Sequence, residues 1–132
     1  MKIAVASDRF MIDVKTRIKM NLLLRGYTVI DVGAYNEQLP DSPYFAEQAA
    51  ICLARGEAER AVVVYGSELG KCMAGQLRGA RTVVARSVDA VRSARRTADA
   101  NVLGVEGMDT GWETLSAMLE AFLATEYIKE PD

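Results

Sequence analysis

Five short apolar runs recur along this chain of 132 residues, and each gives way to a stretch with the spacing of a helix. The runs are Lys2–Ser7, Tyr27–Val32, Ala61–Val64, Thr82–Ala85 and Asn101–Val105. They are largely apolar at successive positions rather than at alternate ones, the pattern of strands buried on both faces of a parallel sheet. After the first run, Ile12, Val14, Ile18, Leu22 and Leu23 fall near helical spacing between Met11 and Arg25, and Gly26 stands where a C′ glycine would stop that helix. A second helix is predicted from Pro43 or Tyr44 to Arg55, capped by Asp41 or Ser42 and ended by Gly56. A third follows the Gly66–Gly70 turn, and a fourth spans Ser87–Thr97 with Ser87 as its cap. The last starts at Thr110 or Gly111 and carries Trp112, Leu115, Met118, Leu119, Phe122 and Leu123 on its apolar face. Residues 34–43 are polar, contain Pro40 and Pro43, and read as a surface loop. Right-handed crossovers make such a sheet doubly wound. The expected fold is α/β: a Rossmann-like three-layer sandwich with a five-stranded parallel sheet, one domain over residues 1–132.

The composition excludes several function classes. Sixteen Lys and Arg against 18 Asp and Glu leave a net charge of −2, which offers no basic face for nucleic acid. Arg78, Arg81, Arg86, Arg92, Arg95 and Arg96 crowd one stretch, either as a solvated helix face or as a local site for a small anion. The two cysteines, Cys52 and Cys72, lack metal-ligand spacing, and Cys72 is expected to pack against the sheet. There is no signal peptide, and no apolar run approaches the ~18 residues of a membrane span, so the expectation is a cytoplasmic protein with no membrane partner. The chain has no histidine, so imidazole takes no part in its chemistry.

Sites in parallel α/β sheets lie at the carboxyl ends of strands. Those ends are Ser7-Asp8-Arg9, Gly33, Tyr65–Gly70, Arg86 and Gly104–Gly107. The third is the most informative. A β-branched run breaks into a glycine-flanked turn before a helix, where free backbone N–H groups make an anion site; an ordinary tight βα connection is the competing reading.

The chain opens with Met-Lys-Ile-Ala-Val-Ala-Ser-Asp and continues with Lys15, Gly26-Tyr27, Val29-Ile30-Asp31-Val32-Gly33, Asp41, Pro43, Phe45-Ala46 and Gly56-Glu57-Ala58. Gly66, Gly70, Gly79, Arg81 and Asp99-Ala100-Asn101-Val102 follow. In order and spacing, from Met1 to about Tyr127, these residues resemble the family of ribose-5-phosphate isomerase B and the two galactose-6-phosphate isomerase subunits. The resemblance implies aldose–ketose isomerisation of a pentose or hexose phosphate without metal or cofactor. A base moves a proton between C1 and C2 while backbone N–H groups hold the enediolate. It also implies a dimer or higher oligomer with shared clefts, built from identical chains or with a paralogous second subunit.

The resemblance also marks departures. Tyr65 stands at the family's catalytic cysteine, Thr97 at its ring-opening histidine, and Arg9 replaces a further histidine. Glu68 replaces a glycine of the anion loop, and the arginines that help hold phosphate are absent from Glu106-Gly107-Met108 and from residues 129–132. A free phenol with pKa ~10 is a poor base, so Tyr65 is expected to donate a hydrogen bond, stack on the sugar or pack. Glu68 is the new acid–base group, since a carboxylate can abstract a proton α to a carbonyl; the alternative is a solvated loop residue. Asp8 either binds a substrate hydroxyl or caps the following helix. Arg9 either clamps phosphate with two hydrogen bonds or faces solvent. Gly66, Ser67, Leu69 and Gly70 form the substrate-binding loop. Two functions stay open: an active isomerase using Tyr65 and Glu68, or a catalytically inactive homologue serving as a sugar-phosphate binder or as one subunit of a hetero-oligomer.

Overall fold

The apolar runs become five parallel strands, hydrogen-bonded in the order β2-β1-β3-β5-β4. The computed structural model describes residues 1–33, 45–67, 71–72, 77 and 79–129. In chain order these are β1 (Lys2–Ser7), a 3-10 turn (Arg9–Met11), α1 (Ile12–Leu24), β2 (Thr28–Asp31) and α2 (Phe45–Ala54). Then come β3 (Arg60–Tyr65), β4 (Thr82–Val84), α3 (Val88–Ala98), β5 (Val102–Glu106) and α4 (Trp112–Ala124). Lys71 and Cys72 are helical, whereas Leu77, expected on the same third helix, is not; the other residues of that predicted helix, like the caps Asp41 and Ser42, lie outside the described residues.

Alternation along each buried strand divides the core into two layers. Ile3, Val5, Val62, Val64, Leu103 and Val105 face α1, α3 and α4, meeting Ile18, Leu22, Val91, Leu115 and Phe122. The opposite row, including Ala4, Ala6, Ala61, Val63 and Tyr65, meets Phe45, Ala46, Ala49 and Cys52 of α2, with Leu77 beyond. Small side chains on both sides of this second layer let α2 lie close to the sheet. The chain leaves β1 toward the α1 face and β3 toward the α2 face. These two adjacent strands therefore form the switch point, and a crevice opens at their carboxyl ends.

The helix ends follow local chemistry. At the end of α1, Gly26 adopts φ +89, the Gly26 N–H donates to the Leu23 carbonyl and the Tyr27 N–H to that of Leu22. This double bond pattern stops the helix where the sequence places the glycine. The Ser87 hydroxyl accepts from the Ala90 N–H at 3.2 Å and starts α3. Two features differ from expectation. A 3-10 turn, seeded by Asp8, precedes α1. Cys72 is exposed rather than packed on the sheet, and Leu77 is the buried apolar residue of that stretch among those described. Cys52 is the core thiol, and burial, reinforced by Glu57, pushes its pKa up, so it behaves as an inert apolar group.

Arginines of the crowded stretch hold the back of the molecule together. Arg95, 3% exposed, donates to the Ala100 carbonyl and to Asp99 Oδ1 at 2.7 Å each, and to the Thr125 carbonyl at 3.0 Å. Arg81 donates to the Asp99 carbonyl at 2.7 Å, and its own N–H is received by Asn101 Oδ1 at 2.9 Å. Asp99-Ala100-Asn101 is thus a structural knot joining α3, β5 and the end of α4. Arg95→Met strands buried carbonyls and should cost about 2–3 kcal/mol, read as a lower urea midpoint at unchanged slope. Arg92→Met, which removes only an exposed 3.8 Å pair with Asp89, should cost less than about 0.5 kcal/mol.

Candidate functional site

Asp8 ends β1 at the crevice, and both of its carboxylate oxygens are engaged by backbone. Oδ1 accepts from the Phe10 N–H at 3.1 Å, capping the 3-10 turn, and Oδ2 accepts from the Gly66 N–H at 2.7 Å. The Asp8 N–H in turn donates to the Val64 carbonyl at 3.2 Å. The turn after β3 is therefore fastened to the end of β1, and the Gly66 amide, expected to face an anion, is directed at Asp8. Met11 lies beneath this junction. A Cβ on Gly66 would come within 3.0 Å of Met11 Cε, and one on Gly107 within 2.6 Å of Met11 Sδ and 2.8 Å of Val64 Cγ1. Only glycine fits at 107.

Glu106 organises the neighbouring loop. Its carboxylate accepts from the Met108 N–H, from the Asp109 and Thr110 N–H groups at 3.0 Å each, and from the Thr110 hydroxyl at 3.2 Å. Burial alone would raise its pKa, but these donors outweigh it and hold the group below the ordinary 4.5. Tyr65 and Glu106 are register partners across β3 and β5, and the Gly107 N–H donates to the Tyr65 carbonyl at 2.9 Å. On the far side of β5, the Ala85 N–H donates to the Gly104 carbonyl at 3.1 Å, which brings Arg86 alongside Glu106.

These strand ends enclose a cavity of about 440 Å³ lined by Tyr65, Gly66, Ser67, Arg86, Glu106 and residues 108–110. That volume suits a small polar metabolite. Of the residues singled out in the sequence, Tyr65, Gly66 and Ser67 line it. The Tyr65 ring, 2% exposed, also belongs to the α2-side core with Ala6 and Phe45. Asp8 lies behind the turn, and Arg9, half-buried, rests over the Phe10 ring at 4.8 Å rather than on the cavity wall. Glu68, Leu69 and Gly70 lie outside the described residues. Thr97 is exposed on α3, its hydroxyl donating to the Ser93 carbonyl at 2.7 Å. Sequence reasoning missed Arg86, Glu106 and Thr110 as wall residues. The strand-end rule had pointed at Arg86 and at 104–107, but not at which side chains turn inward.

The folded-state pKa of Glu106 lies below its unfolded value, so its contribution is present above about 4.5 and is lost as pH falls through the folded value. Glu106→Ala should lower stability at neutral pH by about 1 kcal/mol, the scale of an exposed cap. The difference from wild type should shrink as the pH falls below 4.5 and through the lower folded-state value, as urea midpoints measured across pH would show.

Comparison with known proteins places this geometry. The model of the ribose/galactose isomerase family matches residues 3–132. The galactose-6-phosphate isomerase subunit LacB of Clostridium acetobutylicum is 33% identical over 128 residues, covering 96% of this chain and 74% of that protein. Ribose-5-phosphate isomerase B of Escherichia coli is 30% identical over 127 residues, covering 96% and 85%. A crystal structure of a ribose 5-phosphate isomerase from Thermotoga maritima shares the fold with a TM-score of 0.90 at 32% identity, over 98% of this chain and 90% of that one. With the five-stranded parallel sheet and the strand-end cavity in place, the chain belongs to the ribose/galactose isomerase family.

Proposed function

We propose that this chain is an aldose–ketose isomerase for a small phosphorylated sugar, moving a proton between C1 and C2 through an enediolate. The observation that carries the reading is the cavity at the ends of β3 and β5, where Tyr65, Gly66 and Ser67 meet the Glu106 loop. Its relatives act on ribose 5-phosphate and galactose 6-phosphate, substrates of matching size. Asp8 fixes the Gly66 turn, and in this reading Ser67, with Leu69 and Gly70, forms the loop that binds the substrate's oxygens. Glu68, next in sequence to Ser67, is the base that takes the α proton, and Tyr65 supports the substrate from the floor of the cavity. Arg9, next to Asp8 in sequence, is a candidate for holding the substrate's phosphate from the end of β1.

In this reading residues 1–132 form one catalytic domain that works in the cytoplasm without metal or cofactor. The Clostridium relative is itself a subunit, which supports assembly as a homodimer or with a paralogous second chain. Among the described residues no helix is long and apolar enough to cross a membrane.

The test is incubation with ribose 5-phosphate or galactose 6-phosphate in deuterium oxide, followed by NMR. Ketose formation with deuterium entering at the carbon next to the carbonyl is expected. Glu68→Gln should lower kcat by about 10²–10⁴-fold with little change in KM, as loss of a general base does. If Glu68→Gln turns over like wild type, the base lies elsewhere. Binding of the sugar phosphates without any deuterium incorporation would favour the inactive homologue, a binder or one half of a hetero-oligomer.

A further inference from the structure

Of the described arginines of this stretch, Arg86 and Arg96 make no ion pair among the described residues, and of these two only Arg86 lines the cavity. Arg81 and Arg95 are paired with Asp99, and Arg92 with Asp89. Arg86 is exposed, lines the cavity, and makes no ion pair or hydrogen bond among the described residues. It is also the only cationic side chain among the described residues that lines this cavity. The two carboxylates that share the wall differ in what they can do. Glu106 is occupied by the amides of residues 108–110 and by the Thr110 hydroxyl, so it is not a ready partner for a guanidinium. Asp109 is exposed at the mouth. Across the floor, the Gly66 amide is taken by Asp8, which removes one donor that an anion would otherwise use.

The row Tyr65–Glu106–Arg86 follows from parallel register across β3, β5 and β4. We propose that Arg86 holds the anionic end of the substrate, fixing a phosphate or similar tetrahedral oxyanion with its planar fork while the sugar carbons lie toward Gly66 and Ser67. The inference rests on the isomerase reading for the identity of the sugar, but not for the anion itself. A guanidinium suits the role because two parallel N–H donors match two phosphate oxygens, a geometry that an ammonium cannot reproduce. The distance in sequence between Arg86 and the Gly66 turn leaves the anion and the reacting carbons on separate supports, so Arg86 acts as a specificity determinant and does not touch the proton in transit.

The probe is inorganic phosphate, titrated by calorimetry into wild type, Arg86→Ala, Arg86→Lys, Arg9→Ala and Arg92→Ala. Arg86→Ala should weaken phosphate binding about 10- to 100-fold, the scale of a lost charge-assisted bond. Arg86→Lys should recover part of the loss, while Arg92→Ala should bind as wild type does. Because Arg86 is exposed and unpaired among the described residues, thermal unfolding of its variants should stay within about 2 °C of wild type. In kinetics with a sugar phosphate, Arg86→Ala should raise KM and leave kcat within about threefold, the signature of uniform binding. Unchanged phosphate affinity in Arg86→Ala overturns the proposal, as does a loss confined to Arg9→Ala, which would put the clamp in the turn after β1. If wild type isomerises no sugar phosphate yet loses phosphate binding with Arg86→Ala, the anion site stands and the isomerase reading falls.

Discussion

One buried carboxylate connects the two strand ends on which the site is built. Asp8 is 3% exposed and receives the Phe10 and Gly66 N–H groups, one on each oxygen. A charge this buried is tolerable only when its lone pairs are filled, and hydrogen bonds to an ionised acceptor are about twice as strong as neutral ones. The bond to Phe10 sets the turn that places Met11 under the carboxyl ends of the central strands. The bond to Gly66 sets the height of the loop after β3. Met11 then packs tightly beneath Gly66 and, with Val64, leaves no room for a side chain at Gly107, so one residue spaces the loops after β3 and β5.

Glu106 plays for β5 the part that Asp8 plays for β1, with a difference that bears on chemistry. Asp8 is sealed behind the turn, whereas Glu106 stays on the cavity wall with its charge spent on the loop it organises. Preorganised backbone donors of this kind shape a pocket without needing to rearrange during a reaction. The wall therefore carries two acidic groups and a single guanidinium among the described residues, so recognition of an anion depends on a cation being correctly aimed rather than on a generally positive field.

Much of the architecture is legible in the sequence because local rules and global fold agree. Gly26 and Gly56 end their helices with positive φ, and Ser87 caps α3. The continuous apolar runs announce strands covered on both faces. The site is less legible. Strand-end logic locates Tyr65, Gly66, Ser67 and Arg86, but not the direction of side chains beyond the last paired residue. Asp8 is ambiguous in sequence because a cap and a ligand-binding carboxylate use the same atoms; only the position of Gly66, 58 residues away, shows where its second oxygen goes. Glu106 carries a local signal, an acceptor followed by a glycine and a turn. Nothing in that pattern says that Gly107 must be bare, since the atoms that forbid a Cβ belong to Met11 and Val64. Cys72 fails for the opposite reason: its apolar neighbours suggest burial, and Leu77 takes the buried place.

A sugar phosphate bound as proposed lies in the cavity between the Gly66 turn and the Glu106 loop. Titration of the nitrogen-15-labelled chain with ribose 5-phosphate, followed by backbone amide chemical shifts, tests it most directly. Saturable shifts are expected at Ser67, Arg86 and residues 107–110, with Phe10 and Gly66 moving little because Asp8 holds their amides. Shifts confined to the groove between α3 and α4, around Arg92, Arg96 and Glu120, would contradict it.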